Sequence, residues 1–325
     1  DSAEKSLRRS IDAPKIRLVD PLELIRYKPG RKALFRYALD GCDHRAAYGK
    51  IHTDDRTGRI TQATATLRDA GLVTPAVLGT LADLNFIVHE EAPGTQLAAM
   101  RDDPRYSDLS AAIAEPLALL HRVDVTGLPV HRLADEADRV AETATLLGVI
   151  LPGQRERLEK ISRSIASRLA EVEEVLATNH GDFYDDQALI DGDNIAIIDL
   201  DEIRIAHPLL DIGNMLAHLG TGEARGKVPP AARQAFTEAM RAHRAMSDRD
   251  LALFEAIGVL KLAPGPFRRL EPGWPEAVDS MLDMIESMLP SSAATNPDTG
   301  IRDVKLPELP VLQDPVRMQA HLRDA

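Results

Sequence analysis

Between residues 179 and 211 the chain reads NHGDFYDDQALIDGDNIAIIDLDEIRIAHPLLD, and no other stretch so narrows what the chain can fold into. Two short apolar runs, 188–190 and 195–198, flank the turn sequence Asp191-Gly192-Asp193-Asn194, which reads as a β-hairpin. Acid and amide side chains stand at both outer ends, Asp182 and Gln187 before the hairpin, Asp199 and Asp201 after it. A hairpin brings its outer ends together, so these four are expected to share one small volume. Carboxylates a few ångströms apart repel strongly in a partly dry site, so the cluster must neutralise itself or hold cations.

Phosphoryl transfer has a use for that layout. It needs one carboxylate to receive or orient the acceptor hydroxyl, and further oxygen ligands for the magnesium that bridges the phosphates. In protein kinases four residues separate the base aspartate from the metal-binding asparagine of the catalytic loop. Asp182 and Gln187 keep that spacing, with Gln where Asn is usual, and Asp199 falls where the second metal-binding aspartate belongs. His180-Gly181-Asp182 followed by Gln187, then Ile198-Asp199-Leu200-Asp201, then Asp211-Ile212-Gly213-Asn214, resembles the aminoglycoside phosphotransferase and choline kinase family. The kinase-like fold of that family phosphorylates small molecules.

The resemblance implies that Asp182 is the base or acceptor-orienting residue and that Gln187 and Asp199 bind Mg2+. It implies that Asp211 braces the catalytic loop from the start of a helix. His180 and Asp201 are supporting residues, Asp201 at the metal or the substrate. Gln187 is one methylene longer than Asn, so the ion is expected to shift or to gain a water.

Upstream, runs at 22–27 and 32–39 read as strands joined by Lys28-Pro29-Gly30-Arg31, and 46–52 alternates as a third strand. Lys50 lies in that third strand, where a kinase-like lobe places the lysine that contacts nucleotide phosphates. The first turn sits where kinases put a phosphate-covering loop, yet it carries one glycine; Arg31 and Lys32 are its candidate phosphate contacts. Residues 59–70 read as a helix stopped by Gly71, with Gln62, Thr66 and Asp69 but no glutamate to pair with Lys50. Another acid, or bound nucleotide, must then position that lysine. Runs at 76–78 and 85–89 read as two more strands leading to Glu90-Glu91-Ala92-Pro93-Gly94. By the resemblance this crossing is the hinge, where backbone groups of Glu91, Ala92 and Pro93 meet the purine edge.

The rest reads as helices: 108–123, 135–147, 155–177, one opened by Pro208 with Asp211 in its first turn, then 230–245, 248–262 and 275–289. His121 reads as a helix-end histidine, and Trp274 as a loop anchor. Glu238, Asp250, Glu255 and Glu271 are candidates for gripping a substrate amine. Residues 1–20 read as a charged lead-in with a short helix, and those from 290 onward as a proline-punctuated arm.

A chain of 325 residues, 44% hydrophobic, is ample for two lobes. Its net charge of −12 disfavours nucleic acid and anionic membranes, and favours a cationic small substrate where the acids cluster. The single cysteine, Cys42, excludes an intrachain disulfide and a cysteine-built metal site, as expected for a reducing cytoplasm. The chain starts at Asp1 with no charged-then-apolar signal segment, which fits a trimmed start, and no apolar run has the length of a membrane span.

The expected fold is α+β and protein-kinase-like in two lobes. A small β-rich N-lobe over 1–91 binds nucleotide, and a larger, mainly helical C-lobe over 92–289 carries the catalytic and acceptor sites, with a tail over 290–325. The expected activity moves the γ-phosphoryl of ATP or GTP to a hydroxyl of a small molecule, an aminoglycoside or other amino sugar or sugar. Choline or ethanolamine is the alternative acceptor. A catalytically idle, nucleotide-binding regulatory protein is the alternative from another class, suggested by Gln187, the sparse phosphate loop and the missing helix glutamate.

Overall fold

The expected strands form one antiparallel sheet. They are β1 (Arg17–Lys28), β2 (Lys32–Asp40), β3 (Ala46–His52), β4 (Val77–Leu81) and β5 (Phe86–Glu90), in the spatial order β1-β2-β3-β5-β4. The structure is a computed structural model that describes residues 17–30, 32–40 and 46–289. Arg31, Cys42, the lead-in before residue 17 and the arm beyond 289 lie outside the described residues.

Residues 17–20, read as part of a lead-in, are strand instead. Their register against β2 slips between Val19 and Glu23. Pro21 lies in that gap; it has no N–H for a ladder and is tolerated because β1 is an edge strand. Helix α1 (Thr57–Asp69) follows β3 and sends Ala63 and Leu67 into the main core. A smaller cluster of Leu39, Ala47, Phe86 and Val88 holds the sheet together.

The second region is mainly helical. α2 (Tyr106–Ala112) and α3 (Ala114–Arg122) stand where one helix was expected. Pro116 is the reason: its ring would clash with the carbonyl four residues back, so a continuous helix breaks at Ile113 and restarts with proline in its first turn. α4 (Leu133–Ile150) and α5 (Arg155–Leu169) pack side by side. α5 stops well short of the expected 177 because the next turn carries Glu171, Glu173 and Glu174, acids that oppose the negative end of the helix dipole. Glu174 is used elsewhere, accepting the Leu133 N–H at 3.0 Å at the start of α4.

Downstream come α6 (Leu209–Ala224), α7 (Pro230–His243), α8 (Asp248–Leu262), the short α9 (Gly265–Arg268) and α10 (Trp274–Met288). α6 and α8 cross closely. A Cβ on Gly213 of α6 would lie 2.4 Å from the Phe254 carbonyl of α8, so only glycine permits that approach. Both helices are buried over most of their length and form the centre of the large core. No helix among the described residues is long and apolar enough to cross a membrane.

Candidate active site

The hairpin forms from β8 (Ala188–Asp191) and β9 (Asn194–Ile197), with Ala188 opposite Ile197. That register continues one step outward, where the Ile198 N–H donates to the Gln187 carbonyl at 2.9 Å. Gln187 and Asp199 are thereby brought to the same end of the hairpin. β6 (Thr95–Gln96) adds to β8 and ties the crossing after residue 94 to the hairpin.

The short strands β7 (Ala177–Asn179) and β10 (Arg204–Ala206) pair and deliver the loop that begins at His180. Gly181 has φ +88° and a Cβ there would sit 2.2 Å from the Glu202 carbonyl oxygen, so the loop needs glycine at this point. His180 Nε2 donates to the Ile198 carbonyl at 2.8 Å, and its Nδ1 accepts the Asp182 N–H at 3.3 Å. One imidazole thus links the loop that carries Asp182 to the residue before Asp199. Asp199 itself has φ +65°, a left-handed conformation that aspartate tolerates better than most side chains.

Asp211, one per cent exposed, braces this loop from the first turn of α6. Its carboxylate accepts the N–H groups of His180 and Gly181 at 2.7 and 2.9 Å and meets His121 Nε2 at 3.1 Å. Burial alone would raise its pKa, but His121, His180 and the amide bonds outweigh it and hold the carboxyl below its ordinary range. His121, expected as a hydrogen-bonded or solvated helix-end histidine, is the hydrogen-bonded one: it lies buried in the last turn of α3 with Asp211 as its partner.

Asp182 is half exposed and accepts from the Lys261 ammonium at 2.9 Å. Burial pushes its carboxyl up, yet Lys261 pulls it below the usual carboxylate range. Lys261 also reaches Asn214 Oδ1 at 3.3 Å, and Asn214 donates to the Phe183 carbonyl at 2.8 Å. No spacing rule pointed to Lys261. Its only sequence signal is a lysine closing an otherwise apolar run, Gly258-Val259-Leu260.

Lys50 donates to Asp199 Oδ1 and, at 2.8 Å, to Asp201 Oδ1. These two acids take the place of the glutamate missing from α1. Burial works against the Lys50 charge, but Asp199 and Asp201 outweigh it and raise its pKa. Asp201 is buried, which would raise its pKa, but Lys50 and Lys32 hold it well below the ordinary value. Lys32 bonds the same acids, at 3.4 Å to Asp199 Oδ2 and 2.9 Å to Asp201 Oδ2. α1 contributes from its N-terminal end, where Arg56 and Arg59 donate to the Asp201 carbonyl at 3.2 and 3.3 Å.

One cleft of about 960 Å³ is lined by Lys32, Lys50, Glu91, Ala92, Pro93, Gln187 and Asp199, among others. His89, on the same wall, is pushed down to about 4 by burial and by Lys50, so it is neutral at pH 7. Glu91 is held at the crossing by Arg36, at 2.8 Å, and its N–H donates to the Ala46 carbonyl.

The four acids expected near a substrate amine have other partners. Glu255 is buried against Arg233, Asp250 bonds Ser247 in the first turn of α8, Glu271 pairs with Arg269 and Glu238 accepts from Gln234. None of them lines the cleft. Trp274 packs edge-on against Phe267 with ring centroids 4.9 Å apart, as a loop anchor does.

Comparison with known proteins adds a family and a fold. The model of a family described as phosphotransferase enzymes matches residues 36–247. A choline/ethanolamine kinase family protein from Mesorhizobium loti superposes with a TM-score of 0.63 at 18% identity, covering 90% of this chain and 95% of the other. A thermostable mutant of the aminoglycoside phosphotransferase APH(4)-Ia, solved with AMP-PNP and hygromycin B, gives 0.63 at 17%, covering 90% and 99%. Choline kinase from Cryptosporidium parvum gives 0.61 at 12%, covering 88% and 93%. No curated protein matches the chain significantly.

Proposed function

Because this chain belongs to the phosphotransferase enzyme family and has its kinase-like, two-lobed fold, we propose that it transfers the γ-phosphoryl of ATP or GTP to a hydroxyl of a small molecule. One observation carries this reading. Lys50, Gln187, Asp199 and the crossing at Glu91, Ala92 and Pro93 line a single cleft, and His180 ties the Asp182 loop to its floor.

In this reading the nucleotide base lies against the crossing. Among the described residues the Ala92 N–H has no internal partner, the Glu91 N–H is committed to Ala46, and Pro93 has none, so Ala92 supplies the donor to the purine. Lys50 faces the phosphates. Asp182 orients the acceptor hydroxyl; with Lys261 holding its charge it is a weak base, which suits a transfer governed by positioning and charge neutralisation.

The donor set fits Mg2+. Gln187 and Asp199 offer oxygen ligands on one cleft wall, and among the described residues no three His, Cys, Asp or Glu side chains form a metal cage by themselves. That is how Mg2+ is held in such sites, by one or two protein oxygens with phosphates and water completing the shell. When bound, the ion supplies neutralisation of phosphate charge. Asp201 supports the site by fixing Lys50 and Lys32.

For the acceptor we favour an aminoglycoside or another amino sugar or sugar, with a choline or ethanolamine type as the alternative. Lys261 at Asp182 keeps any substrate amine away from the reacting hydroxyl. The idle-kinase reading draws on the same ion pairs, since Asp182, Asp199 and Asp201 are all neutralised within the chain. Release of nucleoside diphosphate with Mg2+, across aminoglycosides, amino sugars, neutral sugars and amino alcohols, separates the two. Acceptor-dependent release that Asp182→Asn and Asp199→Asn both lose supports the enzyme. Nucleotide binding without consumption throughout the panel supports the binding protein.

A further inference from the structure

In the reading above Lys32 is only a cation fixed by Asp201, at the end of a turn expected to contact phosphate. It opens β2 directly after the turn at 28–30 and pairs across the sheet with His52, while Leu34, two residues on, pairs with Lys50. Residues two apart on a strand share a face, so Lys32 and Lys50 project from the same side of the sheet. Both ammonium groups meet both acids. Two positive charges therefore balance the two negative charges of Asp199 and Asp201.

A dication brought to acids already balanced in this way must displace an ammonium. Lys32 is the one held less firmly. Its side chain is 22% exposed against 11% for Lys50, and its contact with Asp199 is 3.4 Å long. It also lines the cleft, so it has somewhere to go.

We propose that Lys32 is an internal counter-ion that competes with divalent metal for Asp199 and Asp201, and that nucleotide phosphates take over its ammonium so that metal and nucleotide bind together. The hand-over rests on the nucleotide-binding reading; the competition does not. The coupling is reciprocal: metal favours nucleotide by the same factor as nucleotide favours metal.

Mn2+ is the probe, read as loss of the free-ion electron paramagnetic resonance signal, on the whole chain. In wild type, Mn2+ affinity is expected to rise at least tenfold when AMP-PNP is present. Without nucleotide, Lys32→Met is expected to bind Mn2+ at least tenfold more tightly than wild type. Its metal-free affinity for AMP-PNP is expected to fall at least threefold. Lys32→Gln repeats the comparison should the methionine variant misfold, with melting curves as the check. Unchanged nucleotide-free Mn2+ affinity in the folded variant overturns the counter-ion role. If AMP-PNP fails to bind wild type under any condition, the hand-over and the phosphotransferase reading fall together, and the Mn2+ comparison still decides the competition.

Discussion

Replacing Asp211 by alanine strands three donors at once: the N–H groups of His180 and Gly181 and the His121 imidazole. The site is one per cent exposed, so water cannot replace the carboxylate without opening the loop. At somewhat over 1 kcal/mol for each unsatisfied buried donor, the loss is about 4 kcal/mol. For a lobe of this size that is roughly 10 °C in Tm. Calorimetry reads the melting point, and amide hydrogen exchange at His180 and Gly181 locates the loss.

The pH dependence is a second reading of the same interaction. Burial opposes the Asp211 charge, His121, His180 and the amides outweigh it, and the native pKa is depressed. Its contribution is therefore full above the unfolded value of about 4 and disappears as pH falls through the lower native value. The gap between wild type and Asp211→Ala should narrow as pH falls below the unfolded value and close once it is below the depressed native one. A variant melting within about 2 °C of wild type at pH 7, with exchange unchanged at those two amides, would show that the loop's other bonds, from His180 to Ile198 and from Asn214 to Phe183, hold it without Asp211.

Three further outcomes are expected. Lys261→Met removes the largest influence opposing burial at Asp182, so the acid limb of the kcat/KM profile should move to higher pH, and an unmoved limb would detach Lys261 from catalysis. Gly213→Ala drives a methyl into the Phe254 backbone; the overpacking, roughly 3 kcal/mol, outweighs about 1 kcal/mol of helix propensity, and a variant as stable as wild type in denaturant titration would contradict the close crossing. Gln187→Asn should keep metal-dependent turnover if the amide is a ligand; complete loss in a folded protein would mean the site is built around the longer side chain.

The parts legible in the sequence are those encoded by spacing. Asp182 to Gln187, the hairpin and Asp199 occupy one continuous stretch, and the hairpin register alone puts the last two together. Lys50 was legible through its strand, whose bounds match those read from alternation. The partners were not. Lys32, His121 and Lys261 come from elements far apart in the chain, and nothing local marks a lysine that will cross 79 positions to meet Asp182. Helix ends failed where a competing use of the backbone decided the matter, as at Pro116, and where Glu174 was drawn away to the start of α4. That α1 carries no glutamate, so that another acid or the nucleotide must position Lys50, is legible in the sequence; that the acids are Asp199 and Asp201, expected at the metal and the substrate, is not.

The crossing of α6 and α8 ties two otherwise separate fates together. Asp211 and Asn214 ride on one helix and Lys261 on the other, and the Gly213 contact with Phe254 sets how far apart they stand. A change in that spacing alters the loop brace and the cation at Asp182 in one move. Sequence drift in the outer helices can alter their packing piecemeal, but at this contact two properties are inherited as one. Second-site suppressors of a Gly213 lesion should therefore arise on the facing turn of α8 and restore folding and turnover together.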